Sequence, residues 1–403
     1  MLYLIVVLIL LSFGTFFFTR PKSKNFKYCY SFAFAIFVCV AGLRYNLGVD
    51  YFLYVRHYIE FPSILELSDQ NHAAEFLESS YEPGFKLLML LLRSISHNSQ
   101  LLFFVASIIS TTLLFKALRE FENRKVFFLS LCTYFCAIYL LQEMQALRQA
   151  LAAGFVYCAF AARLHSLKKA YLWLLVGCCM HNSALLFLVV IPFLTRRFQI
   201  RTQLVLLLIA LLIFTLRISW LSFFISSIGS ILPDVATVAR LMNYVNVEHL
   251  NSARGVFITF ILYIFVYLVS LFYYRRNGYY SSSKKLVIGQ NLLWLYLLVT
   301  CFTWEISFIS IRYGWYFLFG LVICLPQMIF FFKRGSRKFA FFYVCLFNLV
   351  LLRPFVFPNI VTLPFSPYED YISCVWFGSK STGRERADQY LSEMGVVANL
   401  DTP

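Results

Sequence analysis

The 403-residue chain is 61% hydrophobic and only 13% charged, about half the charged share of a soluble domain. Its mean hydropathy is +0.73, and apolar runs of about 17–20 residues, enough to cross ~30 Å of hydrocarbon, recur along it; a soluble globular protein is excluded, and so is a membrane barrel, whose strands would alternate over about ten residues. The formal net charge of +16 reads as the Lys/Arg bias of cytoplasmic loops, which argues against a nucleic-acid partner and for anionic lipid headgroups.

Residues 2–18 form the first apolar run. No basic residue precedes it, Arg20, Lys22, Lys24 and Lys27 follow it, and no small-x-small cleavage site is evident. It reads as a retained first span with its N-terminus outside. Further strong spans are 27–43, 99–117, 126–142, 147–164, 203–217, 255–273, 286–303, 312–331 and 339–352. Basic clusters lie at 20–27, 116–125, 163–169, 196–201, 275–285 and 333–338. If all are cytoplasmic, then 44–82, 143–146, 218–254, 304–311 and the tail 353–403 face outward.

Two segments break the alternation. Residues 83–97 are short and open on Glu82-Pro83-Gly84, with Pro where a helix start tolerates it; they are expected at, or dipping into, the outer leaflet. Residues 170–195 carry Gly177 and a polar His181-Asn182-Ser183 at their centre. They are expected to form a broken or re-entrant hairpin with His181 near its tip, a form tolerated where it lines a cavity. The outer loop 218–254 begins amphipathically, from Ile218 to Leu232, and carries Pro233, Asp234, Arg240, Glu248, His249 and Arg254; it could cover a cavity as a lid. The tail holds Pro354, Pro358, Pro364 and Pro367 before a polar, helix-like end. The expected architecture is all-α: one polytopic transmembrane domain over 1–403, about ten to twelve membrane helices, broken or re-entrant segments and an outward-facing cavity.

The eleven cysteines show no zinc-like spacing and lie mostly in apolar runs, so free buried thiols are expected, with no metal and no cofactor.

Five polar groups fall at predicted outer helix ends or in the broken segment. They are Arg44 with Asp50, Tyr51 and Tyr54; Tyr81-Glu82-Pro83-Gly84; Gln142-Glu143-Met144-Gln145 with Arg148-Gln149; His181-Asn182; and Trp304-Glu305 with Arg312-Tyr313. Ionisable groups at membrane depth usually face a cavity or a partner. Plainer readings stand beside this: an aromatic belt for Tyr45, Tyr54 and Trp315, a structural histidine at 181, and an Arg44–Asp50 ion pair holding a loop. Several arginines with one or two carboxylates suit transfer from a phosphate-linked donor. Guanidinium binds phosphate bidentately and can stabilise a departing diphosphate. A carboxylate or histidine can take the proton of an attacking hydroxyl.

The motif Gly42-Leu43-Arg44-Tyr45-x-x-Gly48-x-Asp50-Tyr51-x-x-Tyr54 resembles the EpsG family, within the Wzy-type O-antigen and capsule polymerases. Tyr81-Glu82-Pro83-Gly84-Phe85, Arg148-Gln149-Ala150-x-Ala152, His181-Asn182-Ser183 and Arg312-Tyr313 follow in the family's order, and Pro367-Tyr368 adds to the likeness. Val49 stands where the family often has Thr. The resemblance implies a multi-pass protein of a bacterial inner membrane whose site faces the periplasm. It implies a glycosyltransferase that joins repeat units carried on undecaprenyl diphosphate, which serves as both donor and acceptor; the lack of a nucleotide loop, DxD-like acidic pair or metal cluster on the outer side fits a metal-independent reaction. A chain-length regulator and a flippase are conceivable partners. On this chain, Arg44, Arg148 and Arg312 are the candidates for the diphosphate. Asp50 is the first choice of general base, with Glu82 and His181 next, and Tyr51, Tyr54, Gln149 and Tyr313 would orient sugars. A flippase of lipid-linked oligosaccharide would also need arginines, though with charges nearer the midplane and paired halves. A ligase moving finished polymer, and a membrane acyltransferase using His181, are further alternatives.

Overall fold

A computed structural model describes residues 1–231, 242, 258–276 and 283–393. Among them every regular element is helical, and the only β-type pairing is an isolated antiparallel bridge between Arg44 and Asp370. The chain forms two compact units, Met1–Phe193 with Ser336–Pro403, and Leu194–Gly335.

The first unit contains α1 (Leu2–Thr19), α2 (Phe26–Gly42), α3 (Asp50–Glu60), α4 (Gln70–Glu78), α5 (Pro83–Ile95) and α6 (Gln100–Phe121). It continues with α7 (Phe127–Gln145), α8 (Leu147–Arg163), α9 (Leu167–Met180) and α10 (Asn182–Phe193). Thus most of 44–82, which reads as a loop in the sequence, is helical. The small residues Ala150, Ala152, Ala153 and Gly154 of α8 let α6 and α9 approach closely on either side, the usual device where lipid supplies no hydrophobic drive between helices. In α7, residues 135–139 take a π-helical turn, a local widening often met at functional sites.

The basic segments gather at one end of this unit. Arg119 lies over Tyr30, Arg124 over Phe26 and Lys116 over Trp173, and Phe18 meets Phe341. The motif residues gather at the other ends of the same helices: Gln100 bonds the Gly42 carbonyl at 2.6 Å, and the Arg148 amide donates to the Tyr54 hydroxyl. The expected hairpin is also present. Its arms are α9 and α10, and His181 between them is extended (φ −161°, ψ 131°). Tyr171 bonds the Leu188 carbonyl across the hairpin, while Arg163 holds the carbonyls of Ile191 and Pro192 at the base. Arms of 14 and 12 residues reach about 20 Å, short of the ~30 Å hydrocarbon core.

The second unit holds α11 (Ile200–Thr215), α12 (Trp220–Ile231), α13 (Ile258–Arg276), α14 (Lys284–Phe302), α15 (Ser307–Phe317) and α16 (Phe319–Phe331). The pairs α11–α12 and α15–α16 bend by 82° and 49°. Asn291 ties α14 to the carbonyls of Leu194 and Arg196, and Tyr267 bonds the buried Gln203 at 2.8 Å. Of the expected lid loop, Pro233, Asp234, Arg240, Glu248, His249 and Arg254 lie outside the described residues. In the first unit, α17 (Arg337–Val356) completes the bundle, and α18 (Gly383–Glu393) follows an irregular return.

Five described helices are long and apolar enough to span a membrane, or seven if each bent pair counts once. That is fewer than the ten to twelve expected. The shortfall lies in apolar helices below span length, such as Phe26–Gly42, Asn182–Phe193 and Ile258–Tyr273.

Candidate functional site

The densest polar contact in the first unit is built on Glu82, the residue that precedes Pro83 at the start of α5. Its backbone is extended (φ −68°, ψ 149°), and its side chain does not cap its own helix. Gly84 explains where it points. A Cβ at Gly84 would sit 2.9 Å from the Cys179 carbonyl oxygen, so only glycine lets α5 start against the end of α9. That contact sets Glu82 beside the hairpin tip.

The Glu82 carboxylate is 4% exposed and joins three elements. Arg148 in the first turn of α8 donates Nη1–H to Oε2 at 2.9 Å. His181 donates from Nδ1 to Oε1 at 2.8 Å, and the Asn182 amide donates to the same oxygen at 3.1 Å. Burial pushes the carboxyl up, but the His181 hydrogen bond, the charges of Arg148 and His181 and the Asn182 N–H outweigh it and bring it to about 2. Glu82 is therefore an anion with both oxygens engaged. A donor at Nδ1 fixes the neutral His181 tautomer with its accepting lone pair on Nε2. The His181 side chain is 20% exposed and that of Arg148 26%, so both are partly open. Arg148 also lies over the Tyr81 ring at 4.7 Å, and its buried Nε has no hydrogen-bond partner.

His57 belongs to the same cluster and was not foreseen from the sequence. Its Nδ1 is hydrogen-bonded to the Tyr81 hydroxyl. Burial pulls its imidazole below the usual range; Glu60 opposes this, while Arg56 and Arg148 add to it. Burial, and after it Tyr54, holds the Tyr81 phenol above its usual range. The signal in the sequence is helical spacing, since Tyr54 and His57 are i and i+3 on α3 and share a face.

Arg44 is fully buried. Its Nη1 donates to the Ala41 carbonyl at 2.8 Å, its guanidinium lies over the Phe103 ring, and its Nε and Nη2 have no partner. The ion pair with Asp50 considered from the sequence is therefore not formed. Gly48, at φ 87°, takes the left-handed turn that starts α3, and Asp50 sits half-buried in its first turn. Tyr51 and Tyr54 are buried at 4% and 5% exposure; Tyr51 stacks on Phe103 at 4.6 Å. They shape the site by fixing α3. Gln149 is buried beside Arg148. Glu143 is bound by Ser110 and Tyr134 deeper in α7. Arg312 and Tyr313 belong to the second unit, where Arg312 lies over the Phe308 ring at 4.7 Å. Among the described residues no group of three or more His, Cys, Asp or Glu is placed to hold a metal ion.

An all-α bundle of membrane-length helices, with an arginine–glutamate–histidine node at the ends opposite its basic segments, defines a class of polytopic membrane protein carrying a polar site. The chain belongs to the EpsG family, whose model matches residues 27–369. That membership gives family-level support for a polymerase acting on lipid-linked glycans, in agreement with the motifs. No curated protein and no solved structure matches it.

Proposed function

We propose that the protein joins oligosaccharide repeat units carried on a lipid diphosphate, undecaprenyl diphosphate, at the outer face of a bacterial inner membrane. The observation that carries this is the Glu82 carboxylate holding Arg148 and His181 at 2.9 and 2.8 Å. The separation of this node from the basic helix ends supports an outward site, because those ends belong in the cytoplasm.

The growing glycan sits on one lipid diphosphate and a new unit on another. A sugar hydroxyl of the new unit attacks the anomeric carbon of the growing chain. The bond from that carbon to the diphosphate oxygen breaks, and lipid diphosphate leaves with the bonding electrons. The hydroxyl proton passes to Nε2 of His181. Glu82 orients the imidazole and stabilises its cation, the usual arrangement of a base held by a carboxylate. Arg148 meets the charge that grows on the departing diphosphate. Arg44 adds positive potential from beneath the motif loop. Glu82 is not assigned as base, because its low proton affinity and its three hydrogen bonds, on both oxygens, suit a positioning role. Asp50, the first choice from the sequence, is assigned to hold the acceptor, with Gln149 on the sugars and Tyr51 and Tyr54 supporting α3.

The test is the polysaccharide profile of a strain deleted for this gene, resolved by chain length. Single repeat units on the acceptor with the long ladder gone are expected. Loss of even single units, with lipid-linked units trapped on the cytoplasmic side, would mean a flippase. Full-length polymer retained on its lipid carrier would mean a ligase.

A further inference from the structure

The return from α17 to α18 lies across the Arg44 loop as a strap, and its far part, beyond residue 369, falls outside the matched family segment. The Tyr45 amide donates to the Glu369 carbonyl at 3.0 Å and the Tyr371 amide to the Leu43 carbonyl at 2.8 Å, so Arg44 is clamped on both sides. The Gly48 amide donates to the Pro364 carbonyl at 3.0 Å, and Asn46 donates to the Ser381 hydroxyl at 3.1 Å. A buried ion pair helps to close the strap. Arg386, 7% exposed, donates to the Glu369 carboxylate at 2.8 Å and to the Pro367 carbonyl at 2.9 Å. Glu369 also accepts from the Thr382 amide and hydroxyl and from Ser381. Beyond this latch, Ala387 packs in the core cluster with Tyr51, Tyr54 and Phe85.

We propose that Arg386, acting through Glu369, is a positioning residue for the glycan transfer, holding the strap that sets Arg44 and the first turn of α3. A planar guanidinium suits this task because it bridges a carboxylate and a carbonyl at fixed angles. Arg386 holds the strap's Glu369 carboxylate and its Leu363 and Pro367 carbonyls, while the Glu82 carboxylate is held by Arg148, His181 and Asn182. Losing the latch should therefore slow turnover and leave donor binding at Arg148 in place.

The assignment rests on the polymerase function proposed above. The test is a kinetic comparison of purified full-length wild type, Arg386→Ala and Arg386→Lys on lipid-linked repeat units, with a paired cysteine rescue. A displaced reacting group costs on the order of 10²-fold, so Arg386→Ala should lose about that factor in kcat with KM little changed, and Arg386→Lys should recover only part. Asn46→Cys with Ser381→Cys, in a Cys374→Ser and Arg386→Ala background, should regain turnover on oxidation and lose it again on reduction. Wild-type kcat in Arg386→Ala, or an oxidised cross-link that restores nothing, would overturn the positioning role. If wild type itself makes no polymer, the polymerase function fails instead. If Arg386→Ala is too unstable to purify, the cross-link in an otherwise intact strap decides: retained turnover supports a strap that stays closed, and lost turnover overturns it.

Discussion

Glu82 in the first unit and Glu305 in the second each follow an aromatic residue at a helix end, and both are almost fully buried, at 5% and 4% exposure. Glu305 spends its two oxygens on backbone. It accepts from the Leu221 and Ser222 amides at 2.8 and 2.9 Å, two of the orphan donors in the first turn of α12. Glu82 takes side chains instead, Arg148 and His181, plus one amide. A carboxylate that satisfies amides stabilises a bend, here the one between α11 and α12. A carboxylate that orients an arginine and an imidazole, both partly open, prepares chemistry. The same residue type in the same kind of place thus serves structure in one unit and, on the account above, catalysis in the other.

The largest effect that could break this contrast is at Arg148. Alanine there should abolish the long polysaccharide ladder while protein remains in the membrane, because Glu82 keeps His181 and Asn182; near-normal ladder would remove Arg148 from the diphosphate. Next is His181→Asn. Loss of a general base costs roughly 10²–10⁴-fold, so polymerisation measured on lipid-linked units should drop by that much without loss of folded protein. Asp50→Asn sharpens the assignment of the base. It should lower turnover by less than about tenfold, and a loss as deep as that of His181→Asn would return the base to Asp50, since a missing base costs at least ~10²-fold.

A smaller effect is thermodynamic. The Glu82 carboxyl lies at about 2 in the folded protein, below the ~4.3 of a free glutamate. A depressed carboxyl adds stability above its unfolded value, and that addition is lost as pH falls through the folded value. The stability gap between wild type and Glu82→Gln in detergent should shrink as pH falls between about 4.3 and 2. A gap that does not narrow on acidification would mean that the carboxylate charge adds nothing to the fold.

Much of the fold was legible because span length and apolar runs are strong signals. The spans expected at 2–18, 27–43 and 147–164 are helices at 2–19, 26–42 and 147–163. The hairpin was legible from a polar triplet interrupting an apolar stretch. The contacts between distant charges were not. Glu82 meets residues 66 and 99 positions away, through a helix approach that only Gly84 permits. Arg44 and Asp50 look like a pair at six positions' spacing, yet the turn at Gly48 and the strap from the tail place Arg44 under Phe103 instead. His57 carried no motif of its own, and the Glu369–Arg386 latch joins two halves of a tail that reads as polar and irregular.

The contrast between the two glutamates is tested most directly by measuring the polymer ladder made per molecule of membrane protein by Glu82→Gln and Glu305→Gln, side by side. The first should lose long chains at normal protein level. The second should cost some stability, because glutamine keeps one accepting oxygen for the two amides, with the ladder per molecule unchanged. A full ladder from Glu82→Gln would contradict the account.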